Sequence, residues 1–197
     1  MARMNNPDPT NDGGKINDEI IQSLRSRLRG TLYQHSDKGY DQARKVWNGV
    51  IDKYPSLIVR CANVSDVMAA VTFAREHKLR VSIRGGGHNV SGSAVCDNGI
   101  VIDLSMMKSI RVDPTRKAVR VEGGATLGDI DHATQAFGLA VPMGVVSKTG
   151  IGGLALHGGM GFLTRKYGLT SDNLISADVI TAEGKLITTD SQNHPMS

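Results

Sequence analysis

His88 closes the run Arg84-Gly85-Gly86-Gly87-His88-Asn89, in which three consecutive glycines separate the apolar Val81-Ser82-Ile83 stretch from an imidazole. Consecutive glycines reach positive φ and let the backbone approach a ligand that any Cβ would hold off. Such a loop can aim several N–H groups at one anion. Arg84 supplies a fixed positive charge at one end, and His88 a ring nitrogen that is nucleophilic when neutral. The competing reading of the same run is a turn with a surface histidine, because glycine clusters also punctuate turns.

A second glycine-dense stretch spans Pro142 to Gly161, too rich in glycine for an ordinary helix and suited to backbone packed against a flat or anionic ligand. Within it Gly150-Ile151-Gly152-Gly153-Leu154-Ala155 matches the dinucleotide pattern GxGxxA. That pattern needs a strand directly before it and a long helix after it. Here Pro142-Met143-Gly144 and Val145 to Thr149 precede it and Gly158-Gly159 interrupts the residues after it, so a Rossmann fold is not expected. No GxxxxGK[ST] run is present to suggest a P-loop.

Taken with Gly158-Gly159-Met160-Gly161 and Arg165-Lys166-Tyr167-Gly168-Leu169-Thr170-Ser171-Asp172-Asn173-Leu174, these runs resemble the FAD-linked oxidases of the berberine-bridge-enzyme type. That family lies within the vanillyl-alcohol oxidase and p-cresol methylhydroxylase (PCMH) superfamily, and the resemblance extends, in order and spacing, from about Tyr40 to about Asp190. It implies an α+β fold, a PCMH-type FAD-binding domain of two small α/β lobes with the cofactor in the cleft between them. The lobes would span about 55–112 and 113–190, the second incomplete, after a helical segment at 16–54.

The resemblance also implies site roles. In the family the histidine closing the first glycine loop, here His88, is bonded to the methyl carbon on C8 of the isoalloxazine, and the loop amides hold the pyrophosphate. Cofactor contacts then fall on Arg84, Gly85, Gly86, Gly87, His88, Asn89, Ser93, Gly144, Thr149, Gly150, Gly152, Gly153, Gly158, Asn173 and Val179. Relatives with a second covalent bond use a cysteine just before the Thr-Gly-x-Gly-Gly stretch; Val146 stands there, so this chain resembles the singly linked members. Asp172 and Asn173 are expected to orient backbone near the cofactor. His157 replaces a glycine common in relatives, and either crowds the cofactor or faces a neighbouring strand.

The implied reaction is hydride transfer from a sugar, alcohol or amine to FAD, with oxygen as the usual reoxidant. Family members continue through a substrate-binding domain and further FAD contacts, so the catalytic base is not expected among these residues. The alternative is a noncatalytic flavin-binding fragment or remnant.

The elements that must position these loops are legible in outline. Asn17 caps a helix whose Ile20, Leu24 and Leu28 share a face until Gly30, with Ile16 stapled to Ile21 and Arg25, Arg27 and Arg29 on a solvated side. Leu57-Ile58-Val59-Arg60 is a short buried strand. Ser65 then caps a helix carrying Val67, Met68, Val71 and Ala74, and Val81 to Arg84 is the next strand, a βαβ unit delivering the glycine loop at a strand end. Ile100 to Leu104 is another strand, and Ser109–Asp113 pairs with Ala118–Glu122 across a turn at Pro114. Thr126 caps a helix with Leu127, Ile130, Thr134 and Phe137 on one side, ended by Gly138. Ile175–Thr181 and Lys185–Thr189 form a hairpin around Glu183-Gly184.

Bulk properties exclude several classes. The 197 residues, 40% hydrophobic, suffice for a core. A net charge of +4 spread along the chain and 4% aromatics argue against nucleic acid as a partner. Cys61 and Cys96 lie in no metal-ligand spacing. With no bilayer-length apolar run and no secretory signal pattern, a soluble, cytoplasmic protein is expected, with residues 1–15 and 191–197 as polar tails.

Overall fold

A computed structural model describes residues 16–193. The expected tail at 1–15, and residues 194–197 of the other, lie outside the described residues.

Four strands, β1 (Thr31–Tyr33), β2 (Leu57–Arg60), β3 (Val81–Arg84) and β4 (Ile100–Asp103), make the largest sheet, in the spatial order β1-β2-β4-β3. β4 runs parallel to both β2 and β3, with Ile102 level with Val59 on one side and Ile83 on the other. The expected βαβ unit over 57–84 is therefore a crossover with a strand position left between its two strands, which β4 fills. All four residues of β4 are buried, the pattern of a central strand covered on both faces. Side-chain alternation divides the sheet between two cores: Leu57, Val59, Ile100 and Ile102 face one, Ile58 and Val101 the other.

Helices α1 (Asp18–Arg27), α2 (Tyr40–Arg44) and α3 (Val64–Glu76) cover those faces. Ile21 and Leu24 of α1 and Val67, Ala70, Phe73 and Ala74 of α3 share the first core, and Tyr40 and Ala43 of α2 the second. Asn17 caps α1, accepting from the N–H of Glu19 at 3.0 Å. The buried stripe is Ile21 and Leu24 rather than Ile20, which is 37% exposed. Arg25 is not simply solvated: it pairs with Asp37 at 3.0 Å and donates to Gln34.

The cap of α3 is Asn63 rather than Ser65: its side chain accepts from the N–H of Asp66 at 3.0 Å. Asp66 is itself buried, and its carboxylate accepts the N–H groups of Arg29, Gly30 and Ala62 at 2.9–3.0 Å, tying the exit of α1 to the exit of β2. Together with the antiparallel pairing of β1 to β2, this fastens α1 and β1 to the main sheet.

The second region is built on β5 (Ile110–Asp113) and β6 (Ala118–Val121), paired with Ile110 opposite Val121. Ile110, Val119 and Val121 pack against a third core of Ala125, Leu127, Ile130, Met143 and Ile151. Helix α4 (Leu127–Gln135) starts in a full capping box, Thr126 and Asp129 each accepting from the other's backbone N–H. Phe137, past the end of this helix, is 52% exposed and does not join its buried face.

Two short helices, α5 (Ile151–Leu156) and α6 (Thr164–Tyr167), come next, and then the hairpin of β7 (Ser176–Ile180) and β8 (Leu186–Asp190). That hairpin leans on α3. Arg75 donates to the carbonyl of Glu183 at 2.9 Å, Ile180 packs against the first core, and a Cβ on Gly184 (φ +78°) would meet Thr72 Oγ1 at 2.5 Å. Among the described residues no helix is long and apolar enough to cross a membrane.

Candidate functional site

The strand that delivers the glycine loop faces opposite to its apparent polarity. Val81 and Ile83 are 42% and 51% exposed, while Ser82 and Arg84 are buried. Arg84 can be buried because its charge is matched: Nη2 donates to Asp103 Oδ2 at 2.7 Å, and Nη1 donates to the carbonyls of Ala43 and Lys45 at 2.5 and 3.2 Å. Asp103, with no exposed side-chain surface, also accepts from Arg60 Nε at 3.0 Å and from the Ser105 N–H at 3.0 Å. Desolvation pushes the Asp103 carboxyl up, yet the bonds from Arg84, Arg60 and Ser105 and the Arg84 charge outweigh it and hold the group below the usual carboxylate range. Arg84, expected to offer charge to a ligand, is thus paired inside the protein, where it holds up the adjoining loop.

The two glycine stretches meet backbone to backbone. A Cβ on Gly86 would lie 2.3 Å from the Gly150 nitrogen, and one on Gly150 would lie 2.2 Å from the Gly86 nitrogen. A third glycine turn, which belongs to neither stretch, completes the junction: Cβ atoms on Gly85 and on Gly152 would each come within 2.9 Å of the Gly123 carbonyl oxygen. Hydrogen bonds fasten the second loop to this turn and to α4, from Ile151 N–H to Ala125 O, Leu127 N–H to Thr149 O and Gly128 N–H to Ser147 O, all at 2.9 Å. Gly85, Gly86, Gly150 and Gly152 are therefore required by loop-on-loop packing, a stricter demand than the ligand contact expected of them.

Gly87 turns the chain with φ +69°. Among the described residues, no backbone N–H from Gly85 to Asn89 donates a hydrogen bond within the protein. Gly85, Gly86 and His88 are half-buried and Gly87 is buried, and donors so placed without partners are what an anionic group satisfies. His88 closes it half-buried, its ring stacked on Trp47 with centroids 5.2 Å apart and planes 20° apart. Burial, and then the nearby Lys148 charge, lower its pKa, so the imidazole is neutral at neutral pH, the nucleophilic form. The Asn89 side chain accepts from Ser91 Oγ at 2.7 Å and from the Ser93 N–H at 3.1 Å, which places Asn89 and Ser93 in one tight turn leaving the loop.

The remaining candidates spread further. Gly144 packs under Leu154 and Leu127, where a Cβ would lie 2.8 Å from Leu154 Cδ1. Gly152 and Gly153 sit inside α5, so the stretch does include a helix, though only of six residues and with no strand directly before it, which rules out the Rossmann arrangement. Gly153 faces open space. Gly158, at φ +93°, accepts from the Ser171 N–H at 2.9 Å. Asn173 and Asp172 orient backbone: Asn173 Nδ2 donates to the Tyr167 and Leu169 carbonyls at 2.9 and 2.8 Å, and Asp172 accepts the Leu169 N–H at 2.8 Å. Val179 lies on β7 opposite Ile187, away from the glycine junction's hydrogen bonds. His157, exposed, donates from Nδ1 to the Gly153 carbonyl at 2.8 Å and caps the end of α5.

Trp47, Lys148, Asp103 and Gly123 complete the site, although none of them belongs to a motif. The signals they carry are a buried Asp at the end of a fully apolar strand and a lone tryptophan close to a glycine.

Three glycine turns joined at their backbones, with unpartnered N–H groups and an imidazole at their rim, offer donors to an anionic group, and comparison with known proteins places the chain among FAD-binding domains. The family model described as an FAD binding domain matches residues 55–190. The chain is 43% identical over 160 residues to (R)-6-hydroxynicotine oxidase of Paenarthrobacter nicotinovorans, covering 81% of this chain and 35% of the relative. It superimposes with a TM-score of 0.84 on the crystal structure of 6-hydroxy-D-nicotine oxidase from Arthrobacter nicotinovorans, at 42% identity over 85% of this chain and 37% of that one. It does so also, at TM-score 0.84 and 28% identity, on berberine-bridge-enzyme-like 1 of Physcomitrella patens, covering 89% of this chain and 38% of that one. The chain belongs to the FAD binding domain family, with the PCMH-type α+β fold it shares with berberine-bridge-enzyme-like and other FAD-linked oxidoreductases, and spans a little over a third of the length of these relatives.

Proposed function

We propose that this chain holds FAD for a flavin-dependent oxidoreductase, with the cofactor in the cleft between the lobes and joined through a single bond at His88. When bound, FAD would supply the hydride acceptor for oxidation of an alcohol, sugar or amine, oxygen being the usual reoxidant. The observation that carries this reading is the loop Gly85–Asn89, whose unpartnered N–H groups are available to the pyrophosphate and whose terminal imidazole is held neutral. Gly153, open to solvent next to this junction, gives a flat group room to approach α5. Val146, where doubly linked relatives place cysteine, supports one bond rather than two. Arg84 and Asp103 contribute by fixing the loop, not by touching the cofactor.

The test is direct. After acid precipitation, yellow colour and fluorescence remain with the wild-type protein and are released from His88→Ala. Colour retained by His88→Ala refutes the attachment point.

A further inference from the structure

The segment from Ala43 to Asn48 precedes the matched domain at 55–190, yet it is laced to the glycine loop by four hydrogen bonds. Arg84 donates to the carbonyls of Ala43 and Lys45 at 2.5 and 3.2 Å, the Trp47 N–H donates to the Gly87 carbonyl at 3.1 Å, and Asn48 Nδ2 donates to the Val90 carbonyl at 2.9 Å. These bonds bracket His88 on both sides and set Trp47 against it. The indole is 62% exposed, so it is not a core residue whose place is explained by burial. Among the described residues its one ring contact is the near-parallel stack on His88.

We propose that Trp47 is a positioning residue for attachment of the flavin at His88: the indole covers one face of the imidazole and fixes its plane, leaving the other face and the ring edge for the cofactor. This inference rests on the attachment reading above. Attachment replaces one hydrogen of the C8 methyl group with an imidazole nitrogen, and the imidazole loses its N–H proton. Two protons and two electrons leave in total, and dioxygen takes them up as hydrogen peroxide. For the nitrogen to reach that carbon the ring must lie in one orientation, and the stack on Trp47 is the ring contact that sets its plane. A misplaced reacting group costs as much as a hundredfold in rate, so removal of the indole is expected to slow attachment by roughly ten- to a hundredfold.

Trp47 is the only tryptophan among the 197 residues, which gives a readout independent of flavin. In cofactor-free protein, Trp47 emission is expected to step with pH as His88 is protonated, at a midpoint below the ordinary imidazole value, and the step is absent from His88→Ala. Lys148 is the charged group acting on His88 in that range. With added FAD, Trp47→Ala is expected to bind total flavin within about twofold of wild type while acid-stable flavin accumulates more slowly, and Trp47→Phe restores most of the rate. Attachment at the wild-type rate in Trp47→Ala, a phenylalanine no better than alanine, or emission flat across the imidazole range would each overturn the inference while leaving the attachment point to His88→Ala. Wild-type protein without acid-stable flavin would overturn both. If Trp47→Ala fails to fold, Trp47→Phe and the wild-type titration decide.

Discussion

Gly86→Ala and Gly153→Ala make the same chemical change in the two glycine loops, and the structure gives them opposite consequences. The new methyl on Gly86 would sit 2.3 Å from the Gly150 nitrogen, 2.7 Å from its Cα and 3.1 Å from the Lys148 carbonyl oxygen. All three are backbone atoms, so no side chain can swing away. Restoring ordinary contact requires the loops to part by about 1 Å, an overpacking cost of about 1–3 kcal/mol. For a chain of this size that lowers Tm by roughly 2–4 °C per kcal/mol. The methyl on Gly153 meets nothing within 4 Å, and it replaces a glycine within α5. A helix gains up to about 1 kcal/mol from that exchange, so apo Gly153→Ala is expected to melt at or slightly above wild type. Its open position is where the proposed cofactor would approach, so flavin retention is expected to fall although stability does not. Thermal unfolding of the apo proteins, combined with the ratio of bound flavin to protein after gel filtration, separates the two effects. A Gly86→Ala protein that melts with wild type would refute the loop-on-loop packing; full flavin retention by Gly153→Ala would refute the placement of the cofactor over α5.

Asp103→Asn leaves Arg84 buried opposite a neutral group and is expected to cost about 3–5 kcal/mol in urea unfolding at neutral pH. The Asp103 carboxyl is held below its ordinary value in the folded protein, so its stabilisation is complete above that value and is lost as pH falls through the lower folded one. Wild-type stability should therefore fall steeply only under acid conditions, and a variant that kept this limb would show that another carboxylate causes it. The 197-residue chain by itself is expected not to oxidise substrate at a useful rate. No base has been assigned among the residues of the candidate site, and general-base help is worth roughly 10²- to 10⁴-fold. Saturable, substrate-dependent bleaching of its flavin by sugars, alcohols or amines in stopped flow would refute that expectation.

Most elements are legible in the sequence because local signals agree with the fold. Leu57–Arg60 and Ile100–Asp103 are apolar runs of strand length, Asn17 and Thr126 are caps beside acidic first-turn residues, and Gly184 marks a hairpin turn at φ +78°. Residues 31–33 give no strand signal because so short a run carries no usable period, and only pairing with β2 makes them a strand. The cap of α3 falls on Asn63 instead of Ser65; both are good capping types, so residue type alone does not choose between them.

The sequence by itself determined the family, the glycine loop and its histidine, since backbone freedom and imidazole chemistry belong to residue types in fixed order. Tertiary structure alone decided what those glycines are for and which side chain stands beside the histidine. Gly86 meets Gly150 across 64 residues, Arg84 turns inward to Asp103, and Trp47 stacks on His88 from a segment 41 residues earlier. Contacts between distant segments depend on how sheet order brings their ends together. Placing β4 between β2 and β3 sets Asp103 level with Arg84 on one side and Arg60 on the other, and no local pattern in the chain encodes that meeting.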